Sequence, residues 1–149
     1  MLTNLNFPTY SFRLKNSENK TSIYDEIRKK FVHLTPEEWV RQHTLMFLRE
    51  EKNHPKSLLN VEKQIKIHGT LKRYDIVGFK SDGSIRIIVE CKAPSVKITQ
   101  ETFDQIARYN LKLKAEYLMV TNGLQHYFCQ MDYEEKKYIF LRDIPNYSK

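Results

Sequence analysis

The runs RYDIVGF at residues 73–79 and IRIIVECKA at residues 85–93 decide the fold. Both are β-branched and apolar at successive positions, so neither shows the alternation of a strand with one wet face. They read as central strands covered on both sides. Between them Ser81-Asp82-Gly83-Ser84 is a hairpin signal, because Asp-Gly supplies the positive φ that a two-residue turn needs. A two-residue loop at Asp82-Gly83 sets Ser81 against Ser84. Counting outward, Val77 falls opposite Ile88 and Asp75 opposite Glu90. Side chains alternate along a strand, so Asp75, Glu90 and Lys92 then share one face. A loop longer by one residue would put the two carboxylates on opposite faces.

Carboxylates directly opposite on neighbouring strands repel, and apolar surroundings raise the cost. Such a pair needs a neutralising partner. A divalent cation with oxygen ligands meets that need. Mg²⁺ prefers carboxylates, carbonyls and water, acidifies a bound water and stabilises charge on a transferring phosphate. Asp75 and Glu90 are therefore candidate metal ligands, with the Cys91 backbone carbonyl as a third. Lys92, one pleat from Glu90, is the candidate to orient or deprotonate a water and to steady developing negative charge. The Cys91 thiol points to the opposite face and reads as core packing.

Working outward, residues 36–51 read as a helix. Thr35 is the N-cap, Pro36 fits the first position, and Glu37 and Glu38 suit the positive helix end. Val40, Thr44 and Phe47, with Leu48 beside them, form its inner face. Residues 60–67 alternate as a half-buried strand. Pro94 stops the second central strand. Thr99 caps a second helix over 100–114, with Phe103, Ile106, Asn110 and Leu113 inward. Residues 117–121, 126–131 and 138–141 read as three further strands, separated by turns at Asn122-Gly123 and at 134–137. Residues 11–14 suit a strand and 16–20 a turn, while 21–34 fit either strand or helix. The order predicts an α/β (α+β) fold, a central mixed sheet flanked by helices. The 149 residues are expected to form one domain, 1–149, with 1–34 as an N-terminal extension.

Composition narrows the function. Hydrophobic residues make up 40% and charged residues 29%, as in ordinary globular chains. No run of 18 apolar residues occurs, and the N-terminus has no apolar signal core, so a cytoplasmic protein is expected. A net charge of +7 favours a polyanionic partner. Cys91 and Cys129 form no metal-spacing motif and read as buried thiols. The histidines lack partners at zinc spacing, and no phosphate-cradling loop for ATP occurs.

Asp75 followed by Glu90-Cys91-Lys92 at a strand end resembles the PD-(D/E)xK nuclease superfamily. The next helix holds Gln105-Ile106-Ala107-Arg108-Tyr109, which resembles the QxxxY motif of the RecB-like branch. The ordered set LTPEEWVRQ at 34–42, RYDIV, IVECKAP, DQIARYN and TNG is similar to the N-terminal nuclease domain of type I restriction enzyme R subunits. The resemblance covers roughly residues 20–145. It implies a Mg²⁺-dependent DNA endonuclease with a restriction-endonuclease-like core. Asp75 and Glu90 would ligate metal and Lys92 would be catalytic. Gln105 and Tyr109, on one helix stripe, would face the site or the DNA backbone. The family often adds a glutamate from the first helix, and Glu37 matches best because Arg41 follows four residues later; Glu38 competes. Arg108, Lys112 and Lys97 are candidate phosphate contacts. Tyr74 stands where the motif name has Pro. No counterpart of the family's ATP-driven motor is expected. That leaves as alternatives a non-cleaving DNA-binding remnant and a subunit working with a separate motor or methyltransferase partner of a restriction-modification system.

Overall fold

The computed structural model describes residues 2–148. The first strands are β1 (Leu14–Ser17), β2 (Lys20–Asp25) and β3 (Lys30–His33), and helix α1 (Pro36–Met46) follows. Then come β4 (Leu59–Ile67), β5 (Thr70–Phe79), β6 (Ile85–Cys91), α2 (Gln100–Leu113), β7 (Tyr117–Thr121), β8 (His126–Asp132) and β9 (Lys137–Leu141). Strands β4 to β9 form a six-stranded sheet in chain order. Only β6 and β7 run parallel; the other neighbours are antiparallel. A parallel pair needs a crossover, and α2 supplies it. The sheet is therefore mixed and flanked by helices, as the order of elements predicts. Among the described residues no helix is long and apolar enough to cross a membrane.

Burial on both faces explains the apolar runs. On one face Val40, Leu45 and Leu48 pack against Ile76, Ile87, Val89 and Met119. On the other, Phe103, Ile106 and Ala107 pack against Val77, Ile88, Leu118 and Val120. The helices begin at their expected caps. Thr35 Oγ1 accepts from the Glu38 N–H at 3.0 Å, and Thr99 Oγ1 from the Thr102 N–H at 3.1 Å. The α-helical part of α1 ends at Met46, short of the expected residue 51. It runs on as a wider π turn over Phe47–Glu51, where the Lys52 N–H reaches the Phe47 carbonyl at 3.2 Å. Residues 21–34, open between strand and helix, resolve as β2 and β3, which with β1 form a separate three-stranded antiparallel sheet.

The β5–β6 hairpin departs from the expected turn yet keeps the register. Lys80, not Ser81, faces Ser84: the Lys80 N–H donates to the Ser84 carbonyl at 2.8 Å, and the Gly83 N–H to the Lys80 carbonyl at 3.0 Å. The turn thus holds three residues, which alone would slip the strands by one. A bulge restores them. Phe79 pairs with Ile85 but Gly78 with Ile87, leaving Arg86 as the extra residue. Beyond it Val77 faces Ile88 and Ile76 faces Val89, as a two-residue loop would give. Arg86 is held inside, its Nη2 donating to the Pro145 carbonyl at 2.7 Å and its guanidinium lying over the rings of Tyr117 and Tyr147. The bulge also depends on Gly78. A Cβ there would stand 2.8 Å from both His54 Nε2 and Ile87 Cγ2, each part of a buried side chain.

Gly78→Ala is therefore expected to destabilise the protein by about 1–3 kcal/mol through overpacking, read as a lower urea midpoint with unchanged m.

Candidate active site

The restored register carries the strands outward from Ile76 and Val89 to Asp75 and Glu90. Asp75 Oδ2 accepts from the Cys91 N–H at 2.7 Å. Glu90 is 9% exposed, and its Oε1 has no hydrogen-bond partner. Burial pushes the Glu90 carboxyl up to about 8, and the charge of Asp75 adds to that. The two side chains are close enough for a protonated Glu90 to bond to Asp75, while Lys72 and Lys92 pull the other way. Tyr74, at the Pro position of the motif name, is buried with its hydroxyl unpartnered, and burial and then Glu90 push it up to about 12.

Part of the neutralising partner that the apolar hairpin demands comes from the chain itself. Arg41 was expected beside Glu37. It does approach Glu37 at 3.5 Å, but its Nη2 also donates to Asp75 Oδ1 at 2.8 Å and its Nη1 to Glu38 Oε1 at 2.5 Å. Burial works against the guanidinium charge, but the bond to Asp75 and the charges of Glu38 and Asp75 outweigh it and raise its pKa. Glu38 is locked away from the pair, since its Oε2 accepts from Arg28 at 2.8 Å and from Gln42 at 3.1 Å. Glu37 is half exposed; burial and then the Asp75 charge raise its pKa, and Arg41 and Lys92 oppose them. Of the two first-turn glutamates, Glu37 is the one that faces Asp75 and Lys92.

Gln105 and Tyr109 share an exposed stripe of α2 and, with Arg108 and Lys112, line an open groove. Two residues that sequence reasoning missed join this groove to the carboxylates. Lys72 Nζ stands 3.9 Å from the centre of the Tyr109 ring and 5.1 Å from that of Tyr74, and its charge reaches Glu90. Alternation along β5 puts Lys72 and Tyr74 on one face, a signal present in the sequence. Their meeting with a residue of α2 has no local signal. Lys97 stands exposed on the β6–α2 connection, outside the groove lining. Cys91 and Cys129 are free, buried thiols.

Among the described residues no group of three or more His, Cys, Asp or Glu side chains is assembled for a metal ion. The donor set of Asp75 and Glu90 nevertheless fits Mg²⁺, which is held by one or two carboxylates and keeps several waters. The unpartnered Glu90 Oε1 is the observation in favour. The Arg41 guanidinium on Asp75 Oδ1 is a charge that Mg²⁺ would have to share or displace.

These charges predict opposite responses from the two carboxylates in EDTA. Glu90 holds its proton more tightly in the folded chain, about 8 against 4.5, so its contribution to stability is full below pH 4.5 and lost as pH rises to about 8. His43, His54 and His126, lowered by burial, act in the opposite sense, but only below their ordinary 6.5. Between pH 6.5 and 8 the protein is expected to lose stability, while Glu90→Gln stays flatter and is the more stable at pH 8. Asp75→Asn removes the charge that Arg41 faces and is expected to cost about 1.5–3 kcal/mol. Urea midpoints across pH measure both.

No curated protein sequence matches the chain. The crystal structure of a "putative nuclease belonging to DUF820" from Anabaena variabilis ATCC 29413 is similar, at 10% identity and a TM-score of 0.49, covering 87% of this chain and 80% of that one. The family model for the type I restriction enzyme R protein N terminus (HSDR_N) matches residues 36–145, a span that holds Glu37, Asp75, Glu90, Lys92, Gln105 and Tyr109. The chain belongs to that family.

Proposed function

We propose that this chain is a Mg²⁺-dependent DNA endonuclease domain, acting in the cytoplasm with the other subunits of a restriction-modification system. The observation that carries the reading is the Asp75–Glu90 pair. A carboxyl with a free oxygen, raised first by burial and then by a second carboxylate beside it, is costly to ionise unless a cation is to be held there. Family membership supports the same reading.

In this proposal Asp75 and Glu90 hold Mg²⁺, with the Cys91 carbonyl and Glu37 as further oxygen ligands. When bound, the ion supplies an acidified water and charge stabilisation at the phosphate. Lys92 lies within electrostatic reach of both Glu90 and Glu37, where its ammonium orients the attacking water and steadies the negative charge that grows on the phosphate oxygens. Water adds to phosphorus, one ester P–O bond breaks, and the leaving oxygen takes up a proton. Gln105 and Tyr109 position the strand from α2, while Arg108 and Lys112 along the groove, and Lys97 beyond it, neutralise phosphates. Arg41 favours one variant of this reading. With its guanidinium on Asp75 the resting chain holds its own cation, so full activity would depend on DNA or a partner subunit drawing Arg41 aside.

Supercoiled plasmid incubated with Mg²⁺ or with EDTA tests the proposal. Nicking is expected only with Mg²⁺ and is expected to fall by at least about 100-fold in Asp75→Asn and Lys92→Met. Mg²⁺ alone is expected to raise the melting temperature of the parent but not of Glu90→Gln. A parent that neither nicks DNA nor responds to Mg²⁺ rules the reading out.

A further inference from the structure

The ladders of the large sheet end at different places. Strand β5 pairs with β6 only from Ile76 to Phe79. It pairs with β4 all the way from Gly78 out to Thr70, and β4 is the edge of the sheet. Residues 63–74 therefore form a two-stranded ribbon that leaves the sheet beside Asp75. Its five residue pairs, Lys63–Tyr74 to Ile67–Thr70, span roughly 13 Å at about 3.3 Å per residue. Glu62, with φ of +54°, sits where the ribbon departs, between the Val61–Ile76 and Lys63–Tyr74 pairs. A non-glycine residue in that region marks a deliberate bend. His68 and Gly69, both at positive φ, close the tip in two residues.

Residues 63–73 contain Lys63, Lys66, Lys72, Arg73 and His68 and no acidic residue. Among the described residues none of those four Lys and Arg side chains is ion-paired. One ribbon face turns toward α2, where Ile65 packs against the core and Lys72 lies on Tyr109. The other carries Gln64, Lys66, Leu71 and Arg73, all exposed, Leu71 at 63%. Lysines on an edge strand discourage strand addition, which alone would explain Lys63 and Lys66. It does not explain Arg73 and Lys72 on the inner strand. The inner face is held by α2, but the outer face is exposed and its cations have no counter-charge, which suits a polyanionic partner.

We infer that the β4–β5 ribbon is a duplex-binding arm, entering a groove of double-stranded DNA through Lys66 and Arg73 while the Lys72–Tyr109 contact holds it over the candidate site. The inference rests on the nuclease reading and names the surface that would engage the duplex. The major groove, about 12 Å wide, admits a two-stranded ribbon, and a single strand offers no such groove.

Anisotropy of the full chain with a labelled 30-base-pair duplex, across a NaCl series in EDTA, tests it. Lys66→Ala/Arg73→Ala is expected to weaken duplex binding about tenfold at moderate salt and to reduce the salt slope by about 1.8, at about 0.9 per phosphate contact. Lys20→Ala/Lys30→Ala on the small sheet is expected to change neither. Melting curves confirm that each variant is folded, and Lys66→Glu/Arg73→Glu is expected to act in the same direction more strongly. A parent that binds and cuts duplex while the ribbon variants bind it equally well overturns the arm and leaves the nuclease reading standing. An equal loss on single-stranded DNA of the same length overturns the groove assignment. A parent that binds no duplex even at low salt overturns both.

Discussion

The Arg41–Asp75 ion pair is the constraint on which the candidate site depends. It is the last link of a chain of alternating charges, buried at Asp25, Glu38 and Arg41 and half-buried at Arg28 and Asp75. Asp25 Oδ2 takes Arg28 Nε at 2.7 Å, Arg28 reaches Glu38 at 2.8 Å, Glu38 holds Arg41 at 2.5 Å, and Arg41 meets Asp75 at 2.8 Å. Burial alone would raise Asp25, but the backbone and side-chain bonds from Arg28 and Gln42 outweigh it and lower its pKa. Such pairs gain little over an apolar replacement, yet removing one member strands its partner at several kcal/mol. The chain therefore serves geometry more than stability. It ties the small sheet, α1 and β5 into one frame and fixes the Asp75 carboxylate within it. The small sheet, which looks peripheral, becomes part of the support of the site.

Glu90 lies outside that frame. Arg41 answers the charge of Asp75 but leaves Glu90 with a free oxygen and a carboxyl that prefers its proton. The chain thus tolerates a local electrostatic conflict in the middle of an otherwise consistent core, and that pattern is typical of functional sites. A structural role would have placed a cation on both carboxylates or an apolar residue at one of them.

How much of this was legible follows from the range of each determinant. The central strands, both N-caps and the two helices could be read because apolar period, capping residues and proline act within a few positions. The juxtaposition of Asp75 and Glu90 follows from alternation and a register that a two-residue turn would give. The turn itself holds three residues instead of two, and the register is kept because Arg86 bulges out. That bulge is held by Pro145 and Tyr147, some 60 residues away, which no local pattern reports. The role of Arg41 was half visible. Its spacing from Glu37 and Glu38 is helical, but its bond to Asp75 spans 34 residues. Residues 21–34 are ambiguous in sequence because their two buried strand positions are Ile23 and Asp25, one of them charged, so no apolar period marks them.

The ribbon and the carboxylate are coupled through a backbone group. Lys92 N–H points to β7, bonding the Thr121 carbonyl at 2.8 Å, so the neighbouring Cys91 N–H points to β5. In a continuing ladder it would find a β5 carbonyl. But β5 leaves the sheet at that point to form the ribbon, and a buried N–H cannot go unpaired. The Asp75 side chain takes the carbonyl's place, with Oδ2 on Cys91 N at 2.7 Å. One residue therefore closes the sheet where the arm departs, receives Arg41 from α1 and stands beside Glu90. Only a short side chain with two acceptor oxygens meets the first two demands together. Asparagine keeps an acceptor for the Cys91 N–H and loses the charge that Arg41 faces, while alanine abandons both. The position where the fold most needs an aspartate is thus also the position where the proposed chemistry needs one.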